Sequence, residues 1–224
     1  MPSSITPITD YAVFASLDEQ GRAFLREHTR ERQLRRHEFV YREGEEARHV
    51  YFVAAGEIKV GNHGGDGREI LRNVLRPNAM FGQLAISGDR ARNGFAQSLC
   101  SETVIYQLST AALQHLMQRD FTVCQMVVQN MGQQIQLAQR RLTSVVSLDA
   151  RTRIVDFLRE AVATGGRKVG LEHLVRHSMT HQDIANLTCT SRQTVTLVLN
   201  ELRKANLIYF NRGKILVRDL AALA

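Results

Sequence analysis

The amino-acid sequence predicts an α+β chain: a β-rich N-terminal domain, one long helix, and a C-terminal winged helix-turn-helix. Three observations predict it. Short apolar runs punctuated by glycines fill residues 34–108, the pattern of strands joined by tight turns. Apolar residues then recur at alternating three- and four-residue steps from Phe121 to Val145, which is a helix with one narrow seam. Near the C-terminus, two capped helical segments precede a pair of apolar runs flanking Asn211-Arg212-Gly213-Lys214.

With 224 residues, 44% hydrophobic and 23% charged, the chain has the composition of a folded globular protein. It has no run of about 18 apolar residues, and its opening stretch lacks the basic start and apolar core of a secretory leader. A cytoplasmic protein with no membrane partner is expected. Cys100, Cys124 and Cys189 are scattered, so neither a disulfide framework nor a thiolate metal site is expected. The net charge of +7 is unevenly placed: residues 150–224 hold 12 Lys/Arg against 6 Asp/Glu, whereas residues 1–149 hold 17 against 16. A basic module attached to a nearly neutral one is the electrostatic footprint of nucleic-acid binding.

Residues 11–30 carry apolar positions at helical spacing, with Ser16 and Glu19 as the expected capping box. Val50-Tyr51-Phe52-Val53, Ile58-Lys59-Val60 and Val104-Ile105-Tyr106 are expected strands. Arg68 to Leu75 fits a strand or a helix. Gly61 to Gly67 lacks the lysine and hydroxyl of a phosphate loop, so a hairpin turn is expected. The seam of the long helix comprises Phe121, Cys124, Val128, Met131, Ile135, Ala138, Leu142 and Val145, along roughly 37 Å of helix. A stripe that narrow suits pairing with a second copy. Val128, Met131, Ile135, Ala138, Leu142 and Val145 are therefore the expected homodimer interface.

Arg151 to Ala163 reads as a further helix ending at Thr164-Gly165-Gly166. Thr180 then caps a short helix, His181 to Leu187, with Ile184 and Leu187 facing inward. Thr188-Cys189-Thr190 makes a break, and Ser191 caps a second helix whose Val195, Leu199 and Leu202 face the core. Its exposed N-terminal half offers Arg192, Gln193, Thr194, Thr196 and Leu197. Two helices joined by so short a turn present the second to the DNA major groove, where Arg and Gln pair bidentately with guanine and adenine edges. Ile208-Tyr209-Phe210 and Ile215-Leu216-Val217 form a hairpin with a basic tip that can lie on phosphates. The expected DNA-binding residues are Thr180, His181, Gln182, Ser191, Arg192, Gln193, Thr194, Thr196, Leu197, Arg212 and Lys214, and the expected partner is double-stranded DNA.

These residues resemble the CRP/FNR family of bacterial transcription regulators over nearly the whole chain. The run Thr190-Ser191-Arg192-Gln193-Thr194-Val195-Thr196 is similar to the family's recognition-helix signature. Gly44, Gly56 and Gly67 fall where its β-roll keeps turn glycines, with Asn78 at the place of another. The resemblance implies a β-roll (a double-stranded β-helix of jelly-roll type) that senses an effector over 1–120, a dimerisation helix over 121–148, and a winged helix-turn-helix over 149–224. It also implies a dimer reading an inverted-repeat operator, and RNA polymerase as a partner if the protein is an activator.

The resemblance implies effector contacts at Gly82, Gln83, Leu84, Arg92, Asn93 and Gln139, and Ala138 lies beside the last of these. Here the sequence departs from the family's pattern. Phe81-Gly82-Gln83 stands where F-G-E is usual, and Arg92-Asn93-Gly94 where R-S-A or R-T-A is usual. Gln83 accepts a hydroxyl without a full charge, so cyclic AMP is disfavoured. No cofactor is fixed: the effector is a cyclic nucleotide, another small molecule, or none. Cys189 replaces a turn glycine, and Leu197 replaces an arginine common on the recognition helix. A cyclic-nucleotide-binding regulatory subunit is the rival reading, and the basic C-terminal module counts against it. No nucleophile–base pair, metal-ligand spacing or cofactor fingerprint supports an enzyme.

Overall fold

The computed structural model describes residues 5–88, 90–211 and 213–223. The chain divides into two compact units, Met1–Ala138 and Gln139–Ala224.

The first unit holds α1 (Glu19–His28), β1 (Thr29–Leu34), β2 (Phe39–Tyr41), β3 (His49–Ala55), β4 (Ile58–His63), β5 (Glu69–Leu75), β6 (Met80–Phe81), β7 (Phe95–Ser98), β8 (Thr103–Ser109) and α2 (Thr110–Arg119), together with most of α3 (Phe121–Ser147). Its strands form two four-stranded antiparallel sheets, ordered β1-β8-β3-β6 and β2-β7-β4-β5. The unbroken apolar run in β3 has a physical reason: the strand is buried on both faces. Val50, Phe52 and Ala54 face a core with Phe14, Leu25, Leu113, Leu116, Val123 and Val127. Tyr51 and Val53 face a second core with Leu34, Tyr41, Ile58, Val60, Phe81 and Ile105.

Several local expectations change. The first helix is capped by Asp18, whose carboxylate accepts from the Gly21 amide at 2.7 Å. Ser16 instead donates to Asp120 at 2.7 Å, because residues 12–14 form a separate 3-10 turn and the helix starts only at Glu19. Arg68 to Leu75 resolves as a strand, β5, paired with β4 through a bulge beside Gly61. The glycine-rich stretch between them is a turn in which the Gly64 amide donates to the Arg68 carbonyl. Asn78 adopts the left-handed backbone, with φ +73°, as the short amide side chain allows.

The second unit holds the end of α3, then α4 (Ala150–Gly165), β9 (Gly166–Val169), β10 (Glu172–Arg176), α5 (His181–Thr188), α6 (Arg192–Lys204), β11 (Ile208–Asn211) and β12 (Lys214–Val217). The hairpin seen in the sequence is half of a four-stranded sheet ordered β11-β12-β10-β9. Val175, Ile208, Ile215 and Val217 of that sheet are buried, as are Ile154, Leu158, Ile184 and Leu199 of the helices.

Candidate nucleic-acid interface and effector pocket

Helix α5 is fixed at both ends. Thr180 accepts from the Asp183 amide at 3.1 Å while its own amide donates to the Asp183 carboxylate at 2.8 Å, a reciprocal cap that satisfies two helix-end donors. At the other end, Cys189 stands in the left-handed region, φ 50° and ψ 50°. The Arg153 guanidinium from α4 then donates to the carbonyls of Thr188 (2.8 Å), Cys189 (3.0 Å) and Leu148 (2.6 Å). A cation placed on the last carbonyls of α5 complements the helix dipole and satisfies acceptors that would otherwise be orphaned. Arg153 was not singled out in the sequence, since its partners lie 35 and 36 residues away.

Helix α6 is divided cleanly by burial. Val195, Val198, Leu199 and Leu202 are buried, and Ser191 caps the helix by accepting from the Thr194 amide at 3.0 Å. Ser191, Arg192, Gln193 and Leu197 are exposed, Leu197 to 60%. Thr194 and Thr196 are half-buried rather than free. The hydroxyl of Thr194 bonds that of Ser191 at 2.8 Å, and that of Thr196 donates to the Arg192 carbonyl at 2.9 Å.

His181 links three elements. Its Nδ1 lies 3.0 Å from the Thr196 hydroxyl, and its ring packs edge-on against Phe210 of β11. Because the Thr196 hydrogen is committed to Arg192, Nδ1 is the donor and Nε2 is left as an acceptor. Burial first, and then the Arg192 charge, hold the His181 pKa below its ordinary value. Phe210 also lies under the Arg203 guanidinium, 5.1 Å from ring centroid to Cζ, so one aromatic ring ties the wing to both helices. Gln182 is exposed and bonds Asn186. At the wing tip Lys214 is exposed and Gly213 takes φ +73°; Arg212 lies outside the described residues.

Helix α3 carries two apolar stripes. Val123 and Val127 are buried in the first unit's core, with Met131 packed against it. Met131 is half-buried, so part of its side chain is taken up by its own domain. Cys124 is likewise only half-exposed. The outward stripe is Phe121, Val128, Ile135 and Leu142, at seven-residue spacing and each at least 60% exposed, with Val145 and Val146 beyond it. Ala138 and Gln139 are also exposed.

In the β-roll, Arg92 is 6% exposed. Its guanidinium donates to the carbonyls of Gly82 (3.0 Å) and His49 (2.5 Å) and lies over the rings of Tyr41 and Tyr51. Its Nε is buried without an acceptor. Gly82 has φ +76°, and a Cβ there would lie 2.9 Å from Arg92 Nη1, so both conformation and closeness require glycine. Gln83 is half-buried and Leu84 exposed at the start of a 3-10 turn. Asn93 is exposed, and its carbonyl accepts from Asn62. Gly82 and Arg92 are thus brought into contact, whereas Gln139 belongs to the second unit.

A β-roll bearing a buried arginine, joined through a long helix to a winged helix-turn-helix with an exposed Arg-Gln face, is the build of an effector-linked DNA-binding regulator. Known proteins agree. Residues 31–120 match the cyclic nucleotide-binding domain and residues 152–224 the Crp-like helix-turn-helix domain. The transcriptional regulator LdrP of Thermus thermophilus is 30% identical over 192 residues, spanning 84% of this chain and 92% of that one. A CRP-like cAMP-activated global transcriptional regulator of Mycobacterium tuberculosis is 25% identical, covering 83% and 82%. Among solved structures, FixK2 of Bradyrhizobium japonicum superposes with a TM-score of 0.78 at 20% identity, over 87% of this chain and 95% of that one. A CRP-family regulator of Thermus thermophilus gives 0.71 at 27% identity, over 86% and 94%. The chain belongs to the CRP/FNR family of transcription regulators. Members of this family bind DNA and form dimers, and they are not enzymes. No helix among the described residues is long and apolar enough to cross a membrane.

Proposed function

We propose that the protein is a cytoplasmic homodimer that pairs through the outward stripe of α3 and reads an inverted-repeat operator with α6. The observation that carries this is the exposed face of α6, where Arg192, Gln193 and Leu197 stand free of the core. Arg192 suits a guanine O6/N7 edge, Gln193 an adenine, and Leu197 a thymine methyl. Thr180, His181 and Gln182, Ser191 and its hydroxyl neighbours Thr194 and Thr196, and Lys214 would meet phosphates, as would Arg212, which lies outside the described residues; such contacts set register rather than sequence. The β-roll is the sensing domain, with Arg92 as the charged group for an anionic effector. Gln83 supplies only a neutral acceptor, which disfavours cyclic AMP although a relative is named for activation by it. If the protein activates transcription, RNA polymerase is its further partner.

Mutant binding curves test the assignment of contacts. Arg192→Ala is expected to cost about 1–3 kcal/mol per half-site and to relax preference at one base position. Lys214→Ala is expected to weaken all sequences equally and to lower the salt-dependence slope by about one unit per lost contact. An Arg192→Ala protein with unchanged base preference would remove α6 from the role of reader.

A further inference from the structure

Direct cross-strand partners form a row across one sheet of the β-roll: Phe81 on β6, Tyr51 on β3, Gln107 on β8 and Arg30 on β1. Directly opposed residues share a face. The next row on that face is Val53, Ile105 and Arg32. Since Phe81, Tyr51, Val53 and Ile105 belong to the core between the sheets, Arg30 and Arg32 project from edge strand β1 on the interior side. Arg30 is exposed and Arg32 half-buried.

These two join a larger group of cations. The charges acting on His49, one step along β3 from Tyr51's row, are Arg92, Arg30, Arg48 and Arg32, all of which favour its neutral form. Tyr41 feels Arg92 and Arg72. Among the described residues, the carboxylates that act here are Glu45, on Tyr51, and Glu46, which pairs with Arg48. Among the described residues, Arg30, Arg32 and Arg92 form no ion pair. Arg92 is more than nine-tenths buried, has carbonyls, aromatic faces and the Tyr51 hydroxyl but no carboxylate paired with it among the described residues, and keeps an Nε–H without an acceptor. Gathering like charges around a buried, unneutralised cation is unfavourable unless an anion completes the site.

We propose that the β-roll binds an effector carrying two or more linked phosphoryl groups, one met by Arg92 at the base of the roll and another by Arg30 and Arg32 on β1. Gln107 and Tyr51 lie between these two positions in the same row and offer an amide and an aromatic face to the part of the ligand that joins them. The arrangement differs from a site for a cyclic mononucleotide, whose single phosphodiester charge would leave Arg30 and Arg32 unpaired. This assignment rests on the reading of the roll as the sensing domain.

Titration calorimetry on the full-length dimer with orthophosphate, inorganic triphosphate and cyclic AMP tests it. Triphosphate is expected to bind at least about tenfold more tightly than either of the others. Arg30→Gln/Arg32→Gln, at one exposed and one half-buried position of edge strand β1, is expected to remove most of that advantage, about tenfold, while leaving orthophosphate and DNA binding unchanged and the variant folded by thermal unfolding. Equal affinity for triphosphate and cyclic AMP overturns the inference and leaves the sensing role of the roll intact. A triphosphate advantage that survives in the double variant also overturns it, by placing the anion on the basic second unit. No binding of any of the three overturns both the inference and the sensing role.

Discussion

Cys189 holds a backbone conformation that a residue with a Cβ adopts only under local constraint. Arg153 supplies that constraint by donating to the consecutive carbonyls of Thr188 and Cys189 itself. Replacing Cys189 with a β-branched residue tests the strain: Cys189→Val is expected to lower stability by about 1–3 kcal/mol, whereas Cys189→Gly costs nothing measurable in thermal unfolding. A pH effect follows from two histidines. His49 and His181 are both held below their ordinary pKa of 6.5, chiefly by burial and then by neighbouring arginines. The unfolded chain therefore takes up protons on them before the folded one does, so stability is full above pH 6.5 and falls as pH drops below it. His49→Gln and His181→Gln should each flatten this decline in denaturant midpoints measured between pH 7.5 and 5; an unaltered slope in both variants contradicts the assignment. Residues whose roles are local were legible in the sequence. Thr180 and Ser191 announce caps within three positions of their partners. Arg153 and Phe210 were not, because nothing short of the fold brings α4 to the turn or the wing to His181.

At the scale of elements, α3 shows why periodicity located a helix but blurred its faces. A step of three or four residues fits both the stripe that enters the first core, Val123, Val127 and Met131, and the stripe that stays outside, Phe121, Val128, Ile135 and Leu142. Only tertiary packing separates them. The two stripes predict opposite mutant behaviour. Ile135→Glu/Leu142→Glu should leave the fold intact but place like charges against their twins, at a cost of several kcal/mol, giving monomers in sedimentation at micromolar concentration. Val127→Glu should instead destabilise the first unit, since that position is 1% exposed. A dimer that persists in the double variant would show that the outward stripe is not the interface. Other elements escaped the sequence for stated reasons. Strand β1, Thr-Arg-Glu-Arg-Gln-Leu, is polar at nearly every position and carries no apolar alternation. The β9–β10 hairpin follows α4 with no intervening loop, its first strand begins at Gly166, and Val169 and Leu171 at its turn are exposed. Helix α2 begins directly where β8 ends, at Ser109, so no loop marked its start.

Over the whole molecule, charge and structure divide the chain in similar places. Nearly all of the +7 net charge lies in residues 150–224, within the unit that carries the exposed recognition face. Such a division lets one unit hold DNA through long-range attraction while the other responds to a ligand. Dimerisation through α3 would double the recognition helix and make the reading two-fold symmetric, so the operator must share that symmetry. Selection of the full-length protein on random duplex DNA tests this most directly. The account predicts an inverted repeat whose half-sites are centred about one helical turn, 10–10.5 base pairs, apart. Recovery of no motif, of a single undivided site, or of a direct repeat would contradict it.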